Sequence, residues 1–342
     1  MKLPVLQEHL RNQKISLAIF THPDPTITYL TQEKLSYAVL VVTPKKAVLL
    51  VTKLDKKPRL KGITVKNLTQ NWKKEFSRIH RIGINKEQCM VASQERLRRY
   101  FPKARFVNVG GKVQELRSQK TPVEIEKIAQ AGMITDRAWK ALIRELPKKT
   151  LRTEQDVAFF LERSFRQQGG EVAFPTIVAM GKNAAIPHHL TDITPLQRGF
   201  LQLDFGASFQ NYCADMSRVL FLGNPTKKEE KFYALLLEVQ QAALAAVQEG
   251  KKFMELDKIA RKKLGKYSSH FIHSLGHGIG IEVHEAPSYH KKVRIEKNQV
   301  FTIEPGIYFP GKFGLRIEDT LVFEGKVRIL TKSSKELVRI KF

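Results

Sequence analysis

Apolar residues in the first third of the chain come in short β-branched runs cut by turn residues. ISLAIF (15–20) ends at HPDP (22–25), and YAVLVVT (37–43) is parted from KAVLLVT (46–52) by Pro44 and Lys45, the pattern of strands joined by tight connections. RIGIN (81–85) and RFVNVG (105–110) repeat it, and between them VASQERLRRYF places Leu97, Tyr100 and Phe101 at helical spacing. These runs predict a small α/β domain ending near Gly110 and Gly111. Beyond it the period lengthens. Thr121, Pro122, Val123 and Glu124 form a capping box with proline at the first helical position, leading into a long helix over 124–146. Thr153 is in place to cap a second helix that stops at Gly169 and Gly170, and a third is expected over 227–248, before Gly250. Strand-like runs lie between and after them: TIVAM, FLQLDFGAS, SRVLFL, VFTIEPGIYF and LRIEDTLVF. Helices grouped apart from such strands predict an α+β fold with an antiparallel sheet. The expected domains are 1–116 and 117–342.

Composition narrows the class. With 342 residues, 42% hydrophobic and 27% charged, the chain can build two cores, and no apolar run reaches the eighteen residues of a membrane span. The N-terminal stretch does not read as a signal peptide, and Cys89 and Cys213 offer no disulfide framework; a cytoplasmic protein with reduced thiols is expected. The formal net charge is +26, and residues 1–116 carry 23 Lys and Arg against 8 Asp and Glu. The basic residues are scattered, without stacking aromatics or finger spacing, so they read as solvated surface and nucleic acid is not the expected partner.

Chemistry concentrates near the C-terminus. HSLGHGIGIEVHE (273–285) packs three histidines and two glutamates among glycines that disfavour a helix. Read as loop leading into strand, it puts His284 and Glu282 on one face, with Ile281 and Val283 on the other. Other strand-like runs each carry an acid where an apolar residue belongs: Asp204 in LQLDFGAS, Asp215 ahead of MSRVLF, Glu304 in TIEPGIYF and Glu318 in LRIEDTLVF. Unpaired buried carboxylates are costly, and four of them call for a shared cation. With His277 or His284 adding nitrogen, the donor set suits a pair of divalent ions such as Mn²⁺, Co²⁺, Fe²⁺ or Zn²⁺.

In this order, DFGASFQNYCADMSR, HSLGHGIGIEVHE, IEPGIY and LRIED resemble the successive motifs of the pita-bread-fold metallopeptidases, and TIVAMGKNAAIPHH matches their proline-directed branch, Xaa-Pro aminopeptidase and prolidase. The resemblance covers essentially 117–342 and reaches more weakly into TITYLT (26–31). It implies a creatinase-like N-terminal α/β domain and a catalytic domain with a curved antiparallel sheet. By that resemblance Asp204 binds one metal, His277 and Glu304 the other, Asp215 and Glu318 bridge, and two divalent ions, Mn²⁺ first, hold an attacking hydroxide. His188 and His284 match histidines that bind substrate and stabilise the tetrahedral intermediate, Glu304 matches the proton shuttle, and His273 and Arg316 match positions lining the substrate pocket.

The main expectation is an Xaa-Pro aminopeptidase cleaving the N-terminal bond before proline, with an Xaa-Pro dipeptidase (prolidase) as the alternative and a non-catalytic protein- or nucleic-acid-binding member of the fold behind both. A homodimer is expected from the resemblance. The remaining groups read plainly: Glu282 and Glu285 as surface charges, His189 as a bystander, His270 and His290 as structural, Cys213 as a buried filler, and Asp319 as facing away from the ligands.

Overall fold

The structure is a computed structural model describing residues 2–76, 79–289 and 292–341; His290 lies outside them. The chain separates into two compact units, Met1–Arg117 and Ser118–Phe342.

The first unit is built on a six-stranded sheet in the order Thr64–Asn67, Ala47–Val51, Ala38–Val42, Leu17–Thr21, Arg81–Ile84, Arg105–Asn108. Ala38–Val42 runs against both neighbours, and the other pairings are parallel. The three strands at 17–21, 38–42 and 47–51 are buried at every position, which is why they read as unbroken apolar runs rather than alternating ones. The helix Val91–Tyr100 turns Leu97 into this core. The glycine pair at 110–111 opens a helix, Gly110–Ser118, instead of ending the domain.

The second unit has the α+β architecture with antiparallel sheets. Its long helix, Pro122–Glu145, starts at the predicted capping box: Thr121 Oγ1 accepts from Glu124 N at 3.3 Å and Glu124 Oε2 accepts from Thr121 N at 2.7 Å. Thr153 caps Glu154–Gln167 in the same way with Asp156. The two larger sheets of this unit have the orders Val338–Ile340, Met216–Leu222, Gly199–Phe205, Ile177–Met180 and Glu285–Ser288, His277–Gly278, Gln299–Ile303, Asp319–Phe323, Val327–Ile329; smaller sheets of three and two strands accompany them. Among the described residues all pairings of this unit are antiparallel except that of Met216–Leu222 with Val338–Ile340. One apolar core, with Trp139, Phe165 and Phe205, packs under the first two helices. A second, with Phe221, Phe253 and Phe301, packs under Lys227–Ala245 and Phe253–Leu264. The last helix was not expected, because its turns are crowded with Lys and Arg and its apolar stripe is narrow.

Polar groups join the two sheets. Arg218, 1% exposed, donates to Asp319 Oδ1 at 2.7 Å and to the Ser217 and Ser333 carbonyls at 3.0 and 2.8 Å, and also reaches the Glu318 carbonyl. Asp319 takes further bonds from Gln240 at 2.8 Å and Lys335 at 2.6 Å. As expected, it turns away from the candidate ligands, and opposing cations hold its carboxyl below the usual range despite burial. Removing one partner of a buried ion pair leaves an uncompensated charge. Arg218→Met is therefore expected to destabilise this unit by roughly 3–5 kcal/mol, read by denaturant unfolding; a loss under about 1 kcal/mol would show that Lys335 alone suffices.

Candidate active site

Strand register brings the acids together. Asp204, near the end of Gly199–Phe205, lies opposite Ser217 on the neighbouring strand, and Asp215 directly precedes that strand. In the other sheet Ile303 pairs with Asp319, so the same register sets Glu304 across from Glu318. Glu318 N donates to the Ser217 carbonyl at 3.1 Å, which draws the two sheets' acids to one place. His277 enters from its two-residue strand, its backbone N held by Thr302 Oγ1 at 3.1 Å. A Cβ on Gly276 would collide with the Thr302 carbonyl, and one on Gly278 with the Ala286–Pro287 peptide. Close backbone approach, which only glycine permits, is why this motif is glycine-rich.

The segment 279–284 departs from the expected strand. Gly278 pairs with Glu285 and His277 with Ser288, with a register shift between them, and the residues between are bends. The alternation assumed for Ile281 to His284 does not apply, because a hairpin connection intervenes. His284 nevertheless reaches the site through the loop, its ring centroid 4.1 Å from that of His277. Glu285 is no surface charge: its side chain is 5% exposed and pairs with the buried Lys120 at 3.0 Å. Glu282 is half-buried.

His277 Nε2 stands 3.3 Å from Glu304 Oε1, 3.6 Å from Asp215 Oδ2 and 4.0 Å from Glu318 Oε1. Ligand atoms of Asp215, His277 and Glu318 all fall within 4.8 Å of one another. Asp204 Oδ1, Asp215 Oδ1 and Glu318 Oε1 are buried with no hydrogen-bond partner among the described residues. Carboxylates gathered around one imidazole nitrogen, three of them each keeping a buried oxygen without a donor, are what a cation site requires, and two aspartates, two glutamates and a histidine suit hard to borderline divalent ions. The residues fit the implied metals.

Burial dominates the local electrostatics. It pushes Asp215 and Glu318 well above the ordinary carboxylate range, and neighbouring acids add to the rise. Glu304 is pushed up to about 7 by burial, with Arg316 opposing. Burial also lowers His277 and His284, and it pushes His273 down to about 4 with help from Arg316. Neutral imidazoles with free lone pairs are the form a metal binds.

Around this centre lies a cavity of about 330 Å³ whose wall includes Phe174, Ile177, Pro187, His188, Val283 and His284. His273 and Arg316 also border it, but both are already engaged. Arg316, 3% exposed, donates to Asp204 Oδ2 at 2.6 Å, Ser217 Oγ at 2.8 Å and Tyr308 Oη at 2.9 Å. The other side of Tyr308 Oη meets His273 Nε2 at 2.9 Å. Ser217 also donates to Glu318 Oε2 at 2.8 Å, and Thr302 to Glu304 Oε1 at 3.1 Å. Ser217, Thr302 and Tyr308 were missed in the sequence; a neutral hydroxyl on a strand leaves no mark in charge or periodicity. Cys213 is buried among apolar side chains, and His270 contacts the Tyr308 carbonyl at 3.0 Å.

Comparison with known proteins agrees with this geometry. Residues 126–324 match metallopeptidase family M24 and residues 2–119 match the creatinase/prolidase N-terminal domain. An Xaa-Pro dipeptidase of Pyrococcus furiosus is 39% identical over 240 residues, covering 68% of each chain. The solved prolidase of Pyrococcus horikoshii superposes with a TM-score of 0.91 at 30% identity, over 98% of this chain and 99% of that one. The solved X-Pro aminopeptidase of Thermotoga maritima gives 0.88 at 30% identity, over 98% and 100%.

The raised carboxylates set a pH dependence. The folded, metal-free protein retains protons at Asp215, Glu304 and Glu318 that the unfolded chain releases near pH 4. Below about pH 6.5 the lowered His273, His277 and His284, which the unfolded chain protonates first, offset this; the stability of metal-free protein therefore falls as pH rises from about 6.5 to about 8, where the carboxyl protons alone distinguish the folded state. Divalent metal replaces those protons, so added Mn²⁺ should raise the melting temperature by several degrees more near pH 8 than near pH 5. Melting curves of chelator-treated protein that stay flat or climb with pH would contradict this.

Proposed function

Because the chain belongs to metallopeptidase family M24 and carries a creatinase/prolidase-type N-terminal domain, we propose that this proline-directed hydrolase is an Xaa-Pro dipeptidase. The observation that carries the choice is the 39%-identical relative, an Xaa-Pro dipeptidase; the prolidase superposition at a TM-score of 0.91 supports it. The Xaa-Pro aminopeptidase reading is the second, favoured by the Thermotoga maritima structure.

In this reading Asp204, Asp215, His277, Glu304 and Glu318 hold two divalent ions, Mn²⁺ in the first instance. Bound there, the ions supply Lewis acidity toward the scissile carbonyl and make a water acidic near neutral pH. Glu304, whose carboxylate lies 3.3 Å from His277 in the same cluster, takes the water's proton and delivers it to the departing prolyl nitrogen. His284 and His188, on the cavity wall, donate to the carbonyl oxygen as it gains charge. Phe174, Ile177 and Val283 offer an apolar surface to the proline ring, whose nitrogen has no hydrogen to donate and whose backbone is locked. Arg316 and His273 act from behind: Arg316 fixes Asp204 and Tyr308, and Tyr308 fixes His273. Residues 1–116 form the creatinase-like domain of a homodimer in a cytoplasmic setting.

A matched Xaa-Pro dipeptide and Xaa-Pro-Yaa tripeptide, offered to chelator-stripped protein with and without Mn²⁺, test this. Metal-dependent cleavage of the dipeptide alone is expected; cleavage of the tripeptide would transfer the assignment to the aminopeptidase, and cleavage of neither, with Co²⁺ and Zn²⁺ also tried, would overturn both. His284→Ala is expected to lower kcat on the accepted substrate by about 100-fold while leaving the metal-induced rise in melting temperature intact.

A further inference from the structure

His188 is exposed, and its ring makes no hydrogen bond among the described residues. Whatever aims it at the cavity must act through the backbone that carries it. That backbone, 186–194, is tied down on both sides of His188. His189 N donates to the Ile186 carbonyl at 3.1 Å, and Thr191 Oγ1 accepts from Val178 N at 2.8 Å and donates to the Thr176 carbonyl at 3.0 Å. Gln155 N and Glu154 N, in the first turn of the helix Glu154–Gln167, donate to the Asp192 and Thr194 carbonyls at 3.0 Å each.

The side chain of Glu154 completes the clamp. It is 0% exposed. Oε1 accepts from Met180 N at 2.6 Å and Asn183 Nδ2 at 2.9 Å, and Oε2 meets His189 Nε2 at 2.7 Å and Asp192 N at 3.4 Å. Glu154, His189 and Asp192 lie close enough to suggest a second cation site. Both carboxylate oxygens of Glu154 are nevertheless saturated by donors, unlike the orphaned oxygens of Asp204, Asp215 and Glu318, so the cluster is a hydrogen-bonded anchor and not a metal centre. A buried carboxylate receiving four donors in fixed directions is a stiff joint. The one ring it grips belongs to the immediate neighbour of His188.

We propose that Glu154 and His189 are positioning residues for the peptidase reaction, the Glu154 carboxylate gripping the His189 ring so that the adjacent His188, whose own side chain has no hydrogen-bond partner among the described residues, is presented to substrate. This rests on the assignment of His188 under the dipeptidase reading. His189, read from the sequence as a bystander, is the link through which the anchor acts.

A double-mutant cycle in the Mn²⁺-loaded full chain tests it. His189→Ala is expected to lower kcat on an Xaa-Pro dipeptide by roughly 10–100-fold, the usual loss for an outer-shell partner, with KM changed less; His189→Asn, which keeps a donor, should recover part of it. In a His188→Ala background, His189→Ala should cost no more than about twofold, because residues acting as a unit are non-additive. An equal loss in both backgrounds would reveal a merely structural role and overturn the proposal, as would full activity of the single variant. Glu154→Gln serves as a second variant, with the same non-additivity expected. Amide exchange over 186–192 supplies a readout free of activity: it should speed up in His189→Ala while the melting temperature stays within a few degrees, and unchanged exchange would overturn the proposal. Failure of the wild-type chain to cleave any proline peptide would instead count against the dipeptidase reading, and the exchange measurement would still decide whether the anchor exists.

Discussion

Four carboxylates brought from two antiparallel sheets to one buried point form the constraint on which the rest of the second unit depends. Left alone they repel one another in a medium that cannot solvate them, and burial raises three of them accordingly. The fold tolerates this because each acid is attached to something rigid. Asp204 is gripped by Arg316, Glu318 by Ser217, Glu304 by Thr302, and the Asp215 backbone N is received by Thr320 Oγ1 at 3.0 Å. These contacts leave one buried oxygen each of Asp204, Asp215 and Glu318 without a hydrogen-bond donor among the described residues. A site prepared in this way binds a cation without reorganising first, the condition for ligands to be spaced by the protein and not by the ion.

The same constraint explains the outer layer. Arg218, Asp319, Lys335 and Gln240 form a closed polar knot immediately behind Glu318. Two cations share the one carboxylate, so the knot carries a net positive charge, and Arg218, which reaches the Glu318 carbonyl, fixes the backbone from which Glu318 projects. The alternation of side chains along a strand sends Glu318 to one side and Asp319 to the other, so consecutive acids serve opposite ends: one unsatisfied and ready for a cation, the other fully neutralised by cations the chain already owns.

Much of this was readable in the sequence, and the limits are physical. An acid interrupting an apolar strand is conspicuous, so Asp204, Asp215, Glu304 and Glu318 stood out, and the capping box at Thr121 and the cap at Thr153 marked helix starts that the structure reproduces. What stayed hidden depends on distance along the chain or on silence in the pattern. The Lys120–Glu285 pair joins residues 165 positions apart, so neither partner signals the other. Arg316 was expected to line the pocket only through the family resemblance; that its guanidinium is occupied by Asp204, Ser217 and Tyr308 follows from register between strands that meet in three dimensions. The hairpin turn at 279–284 defeated period-two reasoning, since alternation holds only while the chain stays extended.

A charge count bears on how many ions the centre wants. Asp204, Asp215, Glu304 and Glu318, when ionised, bring four negative charges, and Arg316 alone returns one positive charge at contact distance. One divalent ion leaves the cluster net negative, which would repel the terminal carboxylate of an Xaa-Pro dipeptide. Two would leave it net positive by one charge, or neutral once an attacking hydroxide is counted, so that such a carboxylate is no longer repelled and an oxygen gaining charge can be steadied. His284, lowered by burial, would then contribute a hydrogen bond from the rim without adding charge. On this count the second ion is what turns a cluster of acids into a site for anionic substrates, and Arg316, although withdrawn from the pocket, helps to set that balance.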